Sequence, residues 1–260
     1  MIREILERLV KGEISIEEAE KLLKIVTIEE IEAIAKLDVK RHVRTGVPEI
    51  ILAEGKDPED LAKIVMKVLE RNGRAIISRI ENKHVEAIKK IVPNNANIQI
   101  NKKAKMIVIK KKEFTVEKTG GKIGIITAGT SDIPVAEEAR IIAEEMGCKV
   151  FTAYDVGVAG IHRLFPSLKK MIEKDIDVLI VVAGREGALP SVVAGMVDIP
   201  VIGVPTSIGY GLGEKGISAL TAMLQACSLG LAVVNIDGGV AAGAVAALIA
   251  NRVAKARGTK

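Results

Sequence analysis

Five short segments hold most of the side chains able to do chemistry. The first reads Ala128-Gly129-Thr130-Ser131-Asp132-Ile133-Pro134. A glycine there lets the backbone approach a phosphate, Thr130 and Ser131 offer hydroxyls, and a following helix would aim its N–H groups at an anion. The same residues also suit a plain helix start, with Asp132 as cap and Pro134 in the first turn. The second segment, Asp155-Val156-Gly157-Val158-Ala159-Gly160-Ile161-His162-Arg163, places His162 and Arg163 early in a helix. Arg163 can grip a phosphate or carboxylate, whereas His162 reads equally as structural or catalytic. The third, Ala183-Gly184-Arg185-Glu186-Gly187-Ala188-Leu189-Pro190-Ser191, offers Glu186 as a base, or else as an acid that favours a helix start. The fourth, Pro205-Thr206-Ser207-Ile208-Gly209-Tyr210-Gly211-Leu212-Gly213, suits a phosphate or ribose cradle. In the fifth, Asn235-Ile236-Asp237-Gly238-Gly239, the oxygens of Asn235 and Asp237 can hold a hydroxyl or magnesium, or serve as turn residues.

Two cysteines make no disulfide framework, and a reducing cytoplasm is the expected setting. Cys148 reads as a small buried hydrophobe. Cys227 lies in Gln225-Ala226-Cys227-Ser228-Leu229-Gly230, where a helix runs into a strand. The C-terminal end of a helix disfavours a thiolate, so nothing nearby in sequence activates it. In its own chain it also falls at the strand edge opposite the loops above.

The elements that must position these residues are plain in the second half. Apolar runs of strand length occur at Ile123–Thr127, Val150–Ala153, Val178–Val182, Val201–Val204 and Leu231–Asn235. Nearly every position in them is apolar, as parallel strands covered on both faces require. Helix-length segments follow at Ile133–Met146, Ile161–Lys174, Leu189–Val197, Glu214–Ala226 and Val240–Arg257. Five such alternations predict an α/β doubly wound parallel sheet of the flavodoxin-like kind, with its site at the C-terminal strand edge. The first strand is not followed by GxGxxG, which argues against an ordinary dehydrogenase.

The first half has a different grammar. It holds four of the 24 glycines, and the boundary reads EKTGGK, so two domains are expected, at 1–119 and 120–260. Ile2, Ile5, Leu6 and Leu9 recur at helical spacing, and Ser15 with Glu18 forms a capping-box pair. Apolar runs at Ile50–Ala53, Ala75–Ser78 and Met106–Ile109 alternate with helical stretches near Asp57–Arg71 and Asn82–Ile91. A smaller α/β domain follows from that pattern.

The net charge is +5, and residues 1–119 carry all of the excess, 25 Lys and Arg against 20 Asp and Glu. Aromatics are 2% of the chain and Trp is absent, so base-stacking nucleic-acid modules are disfavoured and no nucleic-acid partner is expected. The charged N-terminus has no apolar core of a signal peptide, and Leu229–Ile249 is interrupted by Asn235 and Asp237, so no membrane partner is expected.

Taken together, GTSD, DVGVAGIHR, GALPSVVAG, TSIGYG and CSLGLAVVNID resemble the LarB family, the pyridinium-3,5-biscarboxylic acid mononucleotide synthases of nickel-pincer cofactor biosynthesis. The resemblance extends to Leu37-Asp38, Arg41, Arg44-Thr45-Gly46, Pro48-Glu49 and Gly55-Lys56. The second half is also similar to the aminoimidazole ribonucleotide carboxylases and mutases, through Gly129, Ser131 and Asp132 and the pair His162-Arg163. Those enzymes carry a catalytic histidine where this chain has Ala188. The resemblance implies carboxylation of nicotinic acid adenine dinucleotide by carbon dioxide or bicarbonate, with phosphoanhydride hydrolysis assisted by magnesium and no tightly bound organic cofactor.

By the same resemblance Cys227 is the nucleophile, and Glu186, from its place at the sheet edge, is the candidate base. Gly129, Thr130, Ser131, Asp132, Asp155, His162, Arg163, Thr206, Ser207, Gly209 and Tyr210 bind substrate, and Arg41, Arg44 and Lys56 of the first domain either clamp its phosphates or carboxylate or are plain surface charge. Asp237 is the candidate magnesium ligand. The related carboxylases are octamers with shared sites, so a homo-octamer presenting Cys227 to a neighbour's loops is expected. Arg185, Leu212–Gly216 and Gly238–Val240 depart from the family pattern beside the site. A purine-type carboxylase or mutase, or a nucleotide-binding protein without catalysis, are the alternatives.

Overall fold

The computed structural model describes residues 2–26 and 41–258, so Leu37-Asp38 lies outside the described residues. The chain divides into two compact units. One runs to Ile100 and adds Ile107–Phe114; the other joins Asn101–Met106 to Thr115–Lys260.

In the first unit, α1 (Ile2–Val10) and α2 (Ile16–Val26) pack around Ile5, Ile14 and Ala19. The Ser15–Glu18 capping box forms as the sequence suggests, with both reciprocal hydrogen bonds at 3.1 Å. Then come α3 (Arg41–Thr45), β1 (Ile50–Leu52), α4 (Pro58–Asn72), β2 (Arg74–Ser78), α5 (Asn82–Ile91), β3 (Asn97–Asn101) and β4 (Met106–Lys110). Asp57 caps α4 by accepting the Glu59 and Asp60 N–H groups. The sheet runs β1-β2-β4-β3, with β1 and β2 parallel and β2 and β4 antiparallel. Its core is aliphatic, built on Leu61, Val65, Val68, Ile77, Ile88 and Ile107.

The second unit carries β5 (Lys122–Thr127), α6 (Ile133–Glu145), β6 (Lys149–Ala153), α7 (Leu164–Glu173), β7 (Val178–Ala183), α8 (Ala188–Ala194), β8 (Val201–Pro205), α9 (Ile217–Leu224), β9 (Leu231–Val233) and α10 (Gly239–Gly258). All five strands are parallel, in the order β6-β5-β7-β8-β9. That is the flavodoxin-like order, with its switch point between β5 and β7. The runs IGIIT, VLIVVA and VIGVP are buried along their whole length, because helices cover both faces. Leu164, Leu168, Leu189, Val193, Ala219 and Met223 of α7, α8 and α9 form the core of one face with Ile126, Leu179 and Val181.

On the other face α10 lies against α6, β5, β7 and β8. A Cβ at Gly243 would meet the Ala139 carbonyl at 2.5 Å, and one at Gly239 would overlap the Val135 carbonyl. The two helices touch backbone to backbone there, which only glycine allows. By length and composition α10 is apolar enough to cross a membrane. Here Ala242, Gly243, Ala246, Ala247 and Ala250 are buried in the core of this unit.

Candidate active site

The loops that leave β5, β7 and β8 meet at the switch point, held by hydrogen bonds the sequence does not reveal. Asp132 was expected to cap α6; its side chain makes no such bond. The carboxylate turns inward. One oxygen accepts the Gly129 N–H at 2.9 Å, and the other accepts the Thr206 hydroxyl at 2.7 Å. Asp132 is 4% exposed and Thr206 fully buried. Burial pushes the Asp132 carboxyl above its ordinary range, and the bonds from Thr206, Gly129 and Gly184 pull the other way without cancelling it. With Asp132 so occupied, Thr130 and Ser131 stand exposed at the mouth of the loop.

The third loop is fastened to the fourth. Arg185 donates its N–H to the Ile208 carbonyl at 3.0 Å, and Thr206 donates its N–H to Ala183 at 3.1 Å. A Cβ at Gly184 would strike Ile208 and Thr206 at 2.5–2.6 Å, so the two loops fit only with glycine there. Glu186 is exposed in the tight turn that follows, closed by the Gly187 N–H on the Gly184 carbonyl. Ser207 is exposed, and its N–H is accepted by the Asp237 carboxylate at 2.9 Å, while Asp237 donates its own N–H to Pro205. Gly209 is half-buried between these loops and Tyr210 is exposed.

On the other side of β5, Asp155 adopts φ +60° and donates its N–H to the Thr127 hydroxyl at 3.1 Å. Its carboxylate pairs with Arg163 at 2.6 Å. The sequence pattern predicts a helix that includes His162 and Arg163. Instead they close a 3-10 turn, Val158–Arg163, because Gly160 leaves the helical range at φ −134°, ψ 52°. The Arg163 guanidinium folds across Gly160 toward Asp155, and both His162 and Arg163 are exposed. Thr127 was not singled out from the sequence. Its only signal is a polar residue closing an otherwise apolar strand.

Cys227 stands apart. It is exposed, between the end of α9 and the start of β9, at the edge of the sheet opposite these loops. Cys148 is buried, and burial pushes its thiol up to about 11. Arg41, Arg44 and Lys56 belong to the first unit and are exposed; Arg41 lies 3.5 Å from Glu49. Among the described residues no group of three His, Cys, Asp or Glu side chains is arranged to hold a metal ion.

The family models settle the lineage. Residues 122–258, more than half the chain, match AIR carboxylase, and residues 28–112 match the LarB/PurE-like N-terminal domain. The chain belongs to the AIR carboxylase family, as a member of LarB type. It is an enzyme of the carboxylase and mutase kind. An uncharacterized protein of Methanocaldococcus jannaschii is 55% identical over 251 residues, 96% of each chain. The N5-carboxyaminoimidazole ribonucleotide mutase of Pyrococcus horikoshii is 34% identical over 120 residues, 44% of this chain and 64% of that one. The mutase of Thermotoga maritima is 33% identical over 108 residues, 40% of this chain and 59% of that one. Both likenesses span less than half of this LarB-type member.

Proposed function

We propose that this enzyme carboxylates C5 of the pyridinium ring of nicotinic acid adenine dinucleotide and splits its phosphoanhydride. The products are pyridinium-3,5-biscarboxylic acid mononucleotide and AMP, for nickel-pincer cofactor biosynthesis. The observation that carries the reading is the exposed thiol of Cys227 in a chain with Ala188 where the purine enzymes use a histidine. Cys148, buried and hard to ionise, is no rival for the role.

The chemistry calls for such a thiol. A pyridinium ring has no nucleophilic carbon and cannot attack carbon dioxide by itself. Addition of the Cys227 thiolate to the ring gives a neutral dihydropyridine, whose enamine-like C5 attacks carbon dioxide and forms the new carbon–carbon bond. Glu186 removes the C5 proton, the carbon–sulfur bond breaks, and the thiolate leaves as the ring regains aromaticity. Water completes the separate cleavage to AMP. The cationic ring favours the thiolate by its charge, which offsets the unhelpful helix end.

Gly129, Thr130, Ser131, Thr206, Ser207, Gly209, Tyr210 and Arg163 cradle the nucleotide in this account, with Asp155 holding Arg163 and Asp132 fixing the cradle's floor. His162 belongs to the same loop as Arg163, and Arg41, Arg44 and Lys56 are the first unit's own candidate anion-binding cations. Cys227 faces the opposite sheet edge, so each site is completed by a neighbouring copy in a homo-oligomer, an octamer by the family pattern. As a magnesium ligand Asp237 belongs to no group of three or more metal-binding side chains among the described residues, and one of its oxygens already accepts the Ser207 N–H. The fit is to an ion carried on the dinucleotide's own phosphates, and no step runs through a protein-held metal.

The test is incubation with the dinucleotide, magnesium and isotopically labelled bicarbonate, followed by mass spectrometry. Labelled mononucleotide and AMP in equal amounts are expected. Unchanged dinucleotide from folded protein would overturn the proposal, and conversion of carboxyaminoimidazole ribonucleotide would establish the purine-type reading favoured by the relatives.

A further inference from the structure

Arg185, which the mechanism above does not use, is paired with Tyr210 of the nucleotide cradle. The Arg185 guanidinium lies over the Tyr210 ring, 4.2 Å from its centroid. The two residues come from the loops after β7 and β8, both at the C-terminal edge of the sheet beside the switch point. Two features hold the arginine in place. Its backbone sits at φ +54°, a conformation unfavourable for an L residue, and its N–H is fastened to the Ile208 carbonyl. The ring beneath it then restricts the side chain. Glu186, its neighbour in the chain, attracts it electrostatically, but among the described residues no carboxylate lies within ion-pair distance of it.

A guanidinium stacked on an aromatic ring keeps its N–H edge directed outward in a plane. That edge matches a carboxylate or a phosphate bidentately, and the stacking lowers the entropy lost on binding. Strained backbone held by its surroundings concentrates at ligand clamps. We infer that Arg185, steadied on Tyr210, is a specificity-determining residue that receives an anionic group of the bound nucleotide. The inference rests on the nucleotide reading above and deepens it. The shared chemistry is an anion that offers two oxygens to the guanidinium fork, from either the ring carboxylate or the ribose phosphate.

Calorimetric titration of the whole chain separates the sources, using nicotinic acid mononucleotide, nicotinamide mononucleotide and nicotinic acid riboside as probes. Arg185→Gly is the variant of choice, because glycine accepts φ +54° and leaves the loop backbone at rest. It should weaken nicotinic acid mononucleotide roughly tenfold or more, the scale of a lost charged hydrogen bond. If the carboxylate is the partner, nicotinamide mononucleotide shows no further loss in the variant; if the phosphate is, the riboside shows none. Arg185→Lys, which keeps the charge without the fork, and Tyr210→Ala, which removes the platform, should each lose part of the affinity. Equal binding of all three probes by wild type and Arg185→Gly would overturn the inference. If wild type made labelled product in the preceding assay, the proposed function would survive that result. Wild type binding no probe and making no product would bring down both.

Discussion

Replacing Thr206 by valine tests how the site is built, because it removes one hydroxyl and almost no volume. Thr206 is fully buried and its hydroxyl reaches an Asp132 oxygen at 2.7 Å, in a residue only 4% exposed. Removing that donor strips a charge-assisted hydrogen bond from a carboxylate that water scarcely reaches. Such a loss costs about 1–3 kcal/mol. The cost depends on pH with a definite sign. Burial already raises the folded pKa of Asp132 above its unfolded value. The ionised form is therefore the disfavoured one in the fold, and stability falls as pH rises from the unfolded pKa through the folded one. Valine raises the folded pKa further. Urea unfolding followed by circular dichroism at pH 7 should show the full loss, shrinking toward pH 4 as Asp132 protonates. Thr206→Ser should restore most of it. A loss of the same size at both pH values, or none at pH 7, would refute the hydrogen-bonding account of this carboxylate.

Other consequences are equally direct. Glu137 is held down to about 2, first by Arg140, with Tyr154 and Asn101 also donating. The stability it contributes is present above its unfolded value near 4.5 and lost as pH falls toward 2, so Glu137→Gln should flatten the acid limb of a pH–stability curve in that window. Arg257 lies 2.6 Å from Asp177, whose side chain is completely buried and whose contacting oxygen has no well-aligned hydrogen bond besides this ionic contact. Arg257→Ala should cost about 1–2 kcal/mol in thermal unfolding, discounted because the arginine itself is partly exposed. Gly243→Ala forces a methyl against the Ala139 backbone and should lower the midpoint by several degrees, at about 1–3 kcal/mol. Native protein should react with one equivalent of a thiol reagent, at Cys227, and with two only after unfolding exposes Cys148.

The parallel strands were legible because strands covered on both faces must be apolar throughout, and IGIIT, VLIVVA and VIGVP are. The edge strand NIQIN has no such signature, because its polar residues interrupt any apolar run. Strand β9 stops at Val233, two residues short of the expectation, as the chain leaves the sheet toward Asn235 and Asp237. The loops were legible too, since glycine and small polar residues follow each strand. Their internal wiring was not. The partner of Asp132 lies 74 residues away, and local grammar offers a helix cap instead. Likewise a helical period across Ile161–Lys174 gives no sign that Gly160 would hold His162 and Arg163 in a 3-10 turn. Pairwise geometry of this kind depends on which loops the sheet order brings together.

The central claim is that the Cys227 thiol adds to the substrate ring. Intact-protein and peptide mass spectrometry of enzyme mixed with nicotinic acid adenine dinucleotide, with bicarbonate withheld, tests it most directly. The account predicts an added nucleotide on the peptide that carries Cys227, absent in Cys227→Ala, and no turnover by that variant when bicarbonate is supplied. Full product formation by folded Cys227→Ala would contradict it.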